Sequence, residues 1–177
     1  DLMFEKKSIS NDIVIITIDD ESIQKIGQWP WSRGVFASAM AKLNENPPAV
    51  LGIDAVFAES SRVGEYDDAY LAQAIMSARY PIVFPVEAAD LLISKTEMPR
   101  ATGFIYPLAI FRQSSNLFLG HANIITDKDG IVRRAPLSIT GKENGNEVKF
   151  NAFAYEVVKK AAKKIPNEND LRQIERV

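Results

Sequence analysis

The order of apolar patterns along the chain predicts an α/β fold: a parallel βαβαβ core, an added antiparallel hairpin, and helices packed on the sheet faces. Three observations predict it. Short runs rich in β-branched residues alternate with stretches of helical period, an alternation that implies right-handed crossovers and a sheet at least partly parallel. The first of these runs, residues 12–18, is nearly continuously apolar, as in a strand buried on both faces. Later in the chain, an Asp-Gly pair separates two further strand-like runs, a turn signal for a hairpin. With 177 residues, the chain is expected to form one domain, 1–177, long enough to bury a hydrophobic core.

Residues 12–18 (DIVIITI) read as the first strand, ending in Asp19-Asp20-Glu21. After a Trp/Pro loop, Ser32 is placed to cap a helix running to about Asn46, with Val35, Phe36, Ala39, Met40 and Leu43 on one face. Pro47-Pro48 stops it. Residues 49–55 (AVLGIDA) form the second strand, and residues 67–78 a helix with the stripe Leu71, Ala74, Ile75, Ala78. Residues 81–86 (PIVFPV) form the third strand. The stretch 88–115 has weaker periodicity and carries Pro99 and Pro107, so it reads as a long loop with one short helix near 107–112. Residues 119–126 and 131–139 form the hairpin around Asp129-Gly130. Asn151 is placed to cap a last helix to about Lys164, with Ala154, Val157, Val158, Ala161 and Ile165 toward the core.

Composition narrows the function classes. A net charge of −2, with Lys/Arg pairs scattered among acids, leaves no basic footprint for a phosphate backbone, so no nucleic-acid partner is expected. No cysteine is present, which removes disulfide scaffolds and thiolate metal sites. No apolar run approaches the roughly 18 residues needed to span a bilayer. The start at Asp1, without Met or signal peptide, reads as a piece of something longer. No nucleophile elbow, phosphate loop, dinucleotide fingerprint or H-E-x-x-H is present, and no cofactor and no resident metal is expected.

The chemistry-bearing residues gather around an acidic rim. Asp19 ends the first predicted strand and Asp54 the second, so both carboxylates belong at the carboxyl edge of the sheet, where open α/β sheets bind ligands. They could bind a cation or a cationic ligand, or they could serve structure, Asp19 by capping or pinning the neighbouring Trp/Pro loop and Asp54 by pairing with a buried arginine such as Arg33. The loop Gly27-Gln28-Trp29-Pro30-Trp31-Ser32-Arg33 sets two indoles about a proline, where Trp29 and Trp31 could wall a pocket or anchor the loop. His121, the one histidine, and Asn123 sit on a predicted strand. A lone histidine suits a single contact or a structural hydrogen bond, not a multi-histidine metal site. Asp127-Lys128-Asp129-Gly130 lacks calcium-loop spacing and reads as a turn.

Taken in order, several segments resemble a known family. These are Ile18-Asp19-Asp20-Glu21-Ser22, Gly27-x-Trp29-Pro30-Trp31-x-Arg33, Gly52-x-Asp54-x-x-Phe57, Asp68-x-x-Leu71, Gly120-His121-x-Asn123, and Asp129-Gly130-x-x-Arg133 before Pro136-Leu137. The series is similar to the CHASE domain of the second type, a sensory module associated with cyclases and histidine kinases. The resemblance spans Asp1 to the final helix, while residues 88–100 depart from the pattern. It implies a bacterial receptor with this domain outside the cytoplasmic membrane, tethered by flanking transmembrane helices and coupled in the same chain to a cyclase or kinase output.

The expected function is therefore that of a non-enzymatic sensor binding an unknown small molecule or ion through candidates Asp19, Asp54, Trp29, Trp31, Arg33, His121 and Asn123. Self-association into a homodimer is open. Two alternatives stand beside it: a metal-dependent hydrolase using Asp19 and Asp54, and an interaction or dimerisation module without a small ligand. Residues 1–11 and 166–177 are expected to be membrane-proximal, with Asp1 and Val177 leaving on one side.

Overall fold

Residues 82–86 are buried on both faces, and that double burial sets them at the middle of the sheet. The computed structural model describes residues 12–93, 99–127, 129–133 and 135–162. The expected membrane-proximal segments, the placement of Asp1 and Val177, and Ile165 lie outside them. The chain divides into two units, Asp1–Trp31 and Ser32–Val177.

In the first unit, α1 (Asp20–Ile26) is capped by Asp19 and ends at Gly27, whose φ of 116° suits glycine. The sequence reading took this stretch as the end of a strand and a loop. The strand expected over residues 12–18 is not formed: residues 13–19 pair with no strand among the described residues. Their side chains are largely exposed, Ile13 at 71%, Val14 at 84%, Ile15 at 80% and Ile16 at 75%. β-propensity alone does not make a strand, because its backbone groups need a partner ladder.

The second unit is mixed α/β, as expected. Its helices are α2 (Arg33–Leu43), α3 (Glu65–Ser77) and α4 (Phe153–Ala161). Its main sheet contains β1 (Leu51–Gly52), β2 (Ile82–Ala89), β4 (Gly103–Ile105) and β5 (Leu117–His121). β2 is central: β1 and β5 flank it in parallel, and β4 pairs antiparallel with its last three residues. The parallel β1–β2 ladder runs through Leu51 N–H to Pro81 O and Ile53 N–H to Val83 O. The next bond would come from the nitrogen of Pro85, which has no hydrogen, so the expected seven-residue strand stops after two.

The antiparallel hairpin is present but elsewhere. Residues 117–121 run parallel to β2 instead of folding back across Asp129-Gly130. The hairpin is β6 (Ser138–Glu143) with β7 (Asn146–Asn151), joined at Asn144-Gly145. Both turn residues have positive φ, 50° and 83°, the geometry that matches the twist of paired strands. β3 (Arg100–Ala101) adds in parallel to β6, so the stretch read as a loop contributes two short strands. Its short helix is one 3₁₀ turn, Phe111–Gln113.

The main core joins α2 and α3 to the sheet through Ala37, Met40, Phe57, Leu71, Ile75, Ile82, Phe84 and Phe111. The expected α3 stripe holds, with Leu71, Ile75 and Ala78 buried. On α2, Ala37 is buried where Ala39 was expected. On α4 the inward face is shifted by one position: Val158 is 52% exposed, and Phe153 and Val157 meet Gly52 of β1. Asn151 does not cap α4; its amide donates to the buried Glu156 carboxylate at 2.6 Å.

Candidate functional site

Helix α2 begins without a cap from its own chain neighbour, since the Ser32 side chain makes no capping bond. A carboxylate from α3 replaces it. Asp67 accepts the Arg33 amide at 2.7 Å, the Gly34 amide at 2.9 Å and the Ser61 hydroxyl at 2.5 Å. An anion at a helix N-terminus satisfies orphan N–H groups and opposes the helix dipole. Burial pushes the Asp67 carboxyl pKa up, but these bonds, with the nearby Arg33 charge, outweigh it and hold the pKa below the ordinary value.

Asp68, the next residue, takes the Arg33 side chain. Arg33 Nε lies 3.1 Å from Asp68 Oδ1, with side chains only 12% and 7% exposed. The guanidinium also donates to Glu59 O at 2.7 Å and stacks over Phe57, 4.4 Å from the ring centroid. Phe57 in turn meets Phe36, Phe84 and Phe111 edge-on, with centroids 5.1, 5.4 and 6.1 Å away. Leu71, three residues past Asp68, is fully buried. Arg33, Phe57 and Asp68 with Leu71 belong to three separate sequence segments, and the fold joins them in one place.

Each candidate residue now has a position. Asp19, exposed in the first unit, is the cap of α1 and accepts from the Ser22 hydroxyl at 2.6 Å, the Ser22 amide at 2.9 Å and the Thr17 hydroxyl at 3.2 Å. The Ser22 hydroxyl and amide hold its carboxyl below the usual pKa. Trp29 and Trp31 meet edge-on with centroids 5.8 Å apart, and the Trp31 indole N–H donates to Gly27 O at 2.7 Å. The Trp29-Pro30 bond is cis.

In the second unit, Arg33 pairs with Asp68, not with Asp54. The alternative that Asp54 serves structure by holding Arg33 is thereby corrected: α3 brings two carboxylates to the start of α2, and their bonds use the guanidinium and the helix amides together. Asp54 is exposed, and no side chain among the described residues pairs with it. His121 is 2% exposed at the end of β5, and neither ring nitrogen has a hydrogen-bond partner among the described residues. Asn123 is engaged: its amide accepts from Ala88 N at 2.8 Å and donates to Ala88 O at 2.9 Å, standing in for one residue of a strand partner. Asp129 and Arg133 close their turn as an ion pair at 2.8 Å.

Sequence reasoning missed Asp67 altogether and cited Asp68 only for its spacing to Leu71. The signal available was the adjacent pair of acids in the first turn of a helix, one facing a neighbouring helix start and one facing an arginine. Open grooves among the described residues of the second unit include a pair. One of about 200 Å³ lies between α2 and α3, lined by Ala37, Ala41, Tyr70 and Ala74. One of about 300 Å³ lies over β3 and β6, lined by Arg100, Thr102, Thr140, Lys142 and Glu147. The larger is at the lower limit of small-molecule sites. Among the described residues no three His, Asp or Glu side chains converge as a metal site, and no helix is long and apolar enough to cross a membrane.

Fold and joint define a mixed α/β module whose family-like motif residues chiefly hold the framework. The profile of the CHASE2 domain matches residues 1–176, and the chain belongs to that family, whose members are extracellular sensory domains of signalling receptors. No curated protein and no solved structure matched.

Proposed function

We propose that this domain is the stimulus-detecting part of a bacterial transmembrane receptor, that it faces the extracytoplasmic side, and that its conformational state regulates a cyclase or kinase output carried in the same chain. The family match over residues 1–176 carries this reading. Asp54 is the best-supported ligand contact: it belongs to the Gly-x-Asp-x-x-Phe segment, yet its carboxylate is exposed and engaged by no side chain among the described residues, while Phe57 of the same segment and Arg33 are consumed by the fold. An exposed carboxylate suits a cation or an ammonium-bearing small molecule. A ligand shifts such a domain only by binding its two states unequally.

The chain has no cysteine, so a single introduced one reports location once any cysteine outside residues 1–177 is replaced. Lys42→Cys on the exposed side of α2 should react with a membrane-impermeant maleimide in intact cells expressing the membrane-bound protein. Labelling only after permeabilisation would overturn the extracytoplasmic assignment. For sensing, a thermal-shift screen of cationic metabolites and metal ions should give a stabilising compound whose effect Asp54→Ala abolishes and which changes output in the full-length protein. A compound that stabilises wild type and Asp54→Ala equally would remove Asp54 from the site.

A further inference from the structure

The start of α4 rests on the sheet at two glycines. Gly120 lies on β5, where an added Cβ would come within 2.6 Å of Phe153 Cα, 2.9 Å of Phe153 N and 3.2 Å of the Ala152 carbonyl carbon. Gly52 lies on β1, where an added Cβ would meet Phe153 Cζ at 3.0 Å and Val157 Cγ2 at 3.1 Å. β1 and β5 are separated by β2, about 9–10 Å at ordinary strand spacing. The backbone of Phe153 therefore sits on one strand while its ring reaches across the central strand to the other.

The junction is fixed further by backbone pairing. Ala152, the residue before α4, forms a parallel bridge with His121, the last residue of β5, and donates to Leu137 O at 2.8 Å. The helix start is thus seated on β5 and β1 across the central β2, and the chain continues from its far end toward residue 177. We propose that α4 is the element that carries the state of the β1-β2-β5 sheet into the C-terminal flank, and that Phe153 on Gly120 and Gly52 is the contact that couples them. This rests on the sensory reading above. Any change in spacing between β1 and β5 tilts a helix anchored on one by backbone and on the other by a ring.

The two glycines differ in a way that makes the idea testable. At Gly120 the neighbours are helix backbone atoms, which move only if the helix moves. At Gly52 they are the ends of side chains, which can rotate away. Amide hydrogen exchange on the isolated domain should therefore show α4 opening faster by about 10-fold or more in Gly120→Ala and by about 3-fold or less in Gly52→Ala, with β2 and α3 protected as in wild type. Phe153→Leu, which removes the ring without a clash, is the companion should Gly120→Ala fail to fold, and it should also loosen α4. In the full-length protein, Gly120→Ala or Phe153→Leu should shift unstimulated output by several-fold, while Gly52→Ala should shift it less. Equal effects of the two glycine substitutions on exchange would overturn the seat. A loosened α4 with unchanged output, in a protein whose output still responds to deletion of the whole domain, would overturn its coupling role. Unchanged output on deletion of the whole domain would instead overturn the sensory reading.

Discussion

Arg33 on α2 and Asp68 on α3 form a nearly enclosed ion pair, with Arg33 Nε 3.1 Å from Asp68 Oδ1. The pair sits under an aromatic face, since the guanidinium also stacks on Phe57. Removing one member strands the other charge beside an apolar core. Arg33→Ala and Asp68→Ala should each destabilise the domain by roughly 3–5 kcal/mol, whereas exposed Asp54→Ala should change stability by less than about 0.5 kcal/mol. Denaturant unfolding of the singles and the Arg33/Asp68 double variant measures this. Additive losses in the double variant would show that the two side chains do not act as a pair.

Phe57 links α2, β2 and the turn at Phe111 through edge-on ring contacts and carries Arg33 on its face. Phe57→Ala leaves a cavity at that junction and should cost about 3–5 kcal/mol. Phe57→Leu keeps most of the volume and should cost about half as much or less. A loss below about 1 kcal/mol for the alanine variant would mean the core collapses around the site and the hub matters little.

Asn123 uses both ends of its amide on the Ala88 backbone. Asn123→Asp keeps the acceptor for Ala88 N–H but turns the donor facing Ala88 O into a second acceptor. The aspartate variant should therefore be destabilised by about 1–3 kcal/mol, and by more at neutral pH than near pH 4. A ligand-contact role predicts the opposite pattern: unchanged melting and lost response.

His121 and Asp67 are buried groups through which acid lowers stability. Burial pushes the pKa of His121 below its ordinary 6.5, against a smaller opposing effect of the Pro136 carbonyl that falls short of hydrogen-bond geometry. The unfolded chain then binds a proton at 6.5 that the folded chain refuses. This contribution is complete above that value and is lost as pH falls from it toward the lower folded pKa. Melting temperature should decline between about pH 7.5 and 5, and His121→Phe should remove that decline. Asp67 acts lower: its folded pKa lies below 3.8, so its contribution persists above that value and is lost as pH falls through the folded one. A profile flat down to pH 5 in wild type would contradict the burial of a neutral His121.

The legible parts of the fold were those where one segment carries its own period. Helix α3 shows its stripe because Leu71, Ile75 and Ala78 face one core at helical spacing, whereas the double burial expected of residues 12–18 falls instead on residues 82–86 of β2, because an apolar run does not say which strand the fold will enclose. The hairpin was misplaced because two turn signals compete. Asp129-Gly130 forms a turn, with Gly130 N–H on Asp127 O, but Asn144-Gly145 has the paired positive φ values that a two-residue hairpin loop requires, and it was the signal to weigh.

By itself the sequence determined the class of fold, a strand over residues 81–86, the helices α2 to α4 to within a few residues, and the family through an ordered set of motifs. These rest on local period and residue identity, which a chain carries before it folds. The tertiary structure decided what the motif residues do. It gave Arg33 to Asp68 and not to Asp54, made Asp67 the cap of a helix it does not belong to, ended β1 at the proline of a neighbouring strand, and set Phe153 on two glycines from different strands. Each of these joins residues distant in the chain, and nothing in the spacing along one segment fixes which distant partner a charge, an orphan amide or a missing N–H will meet.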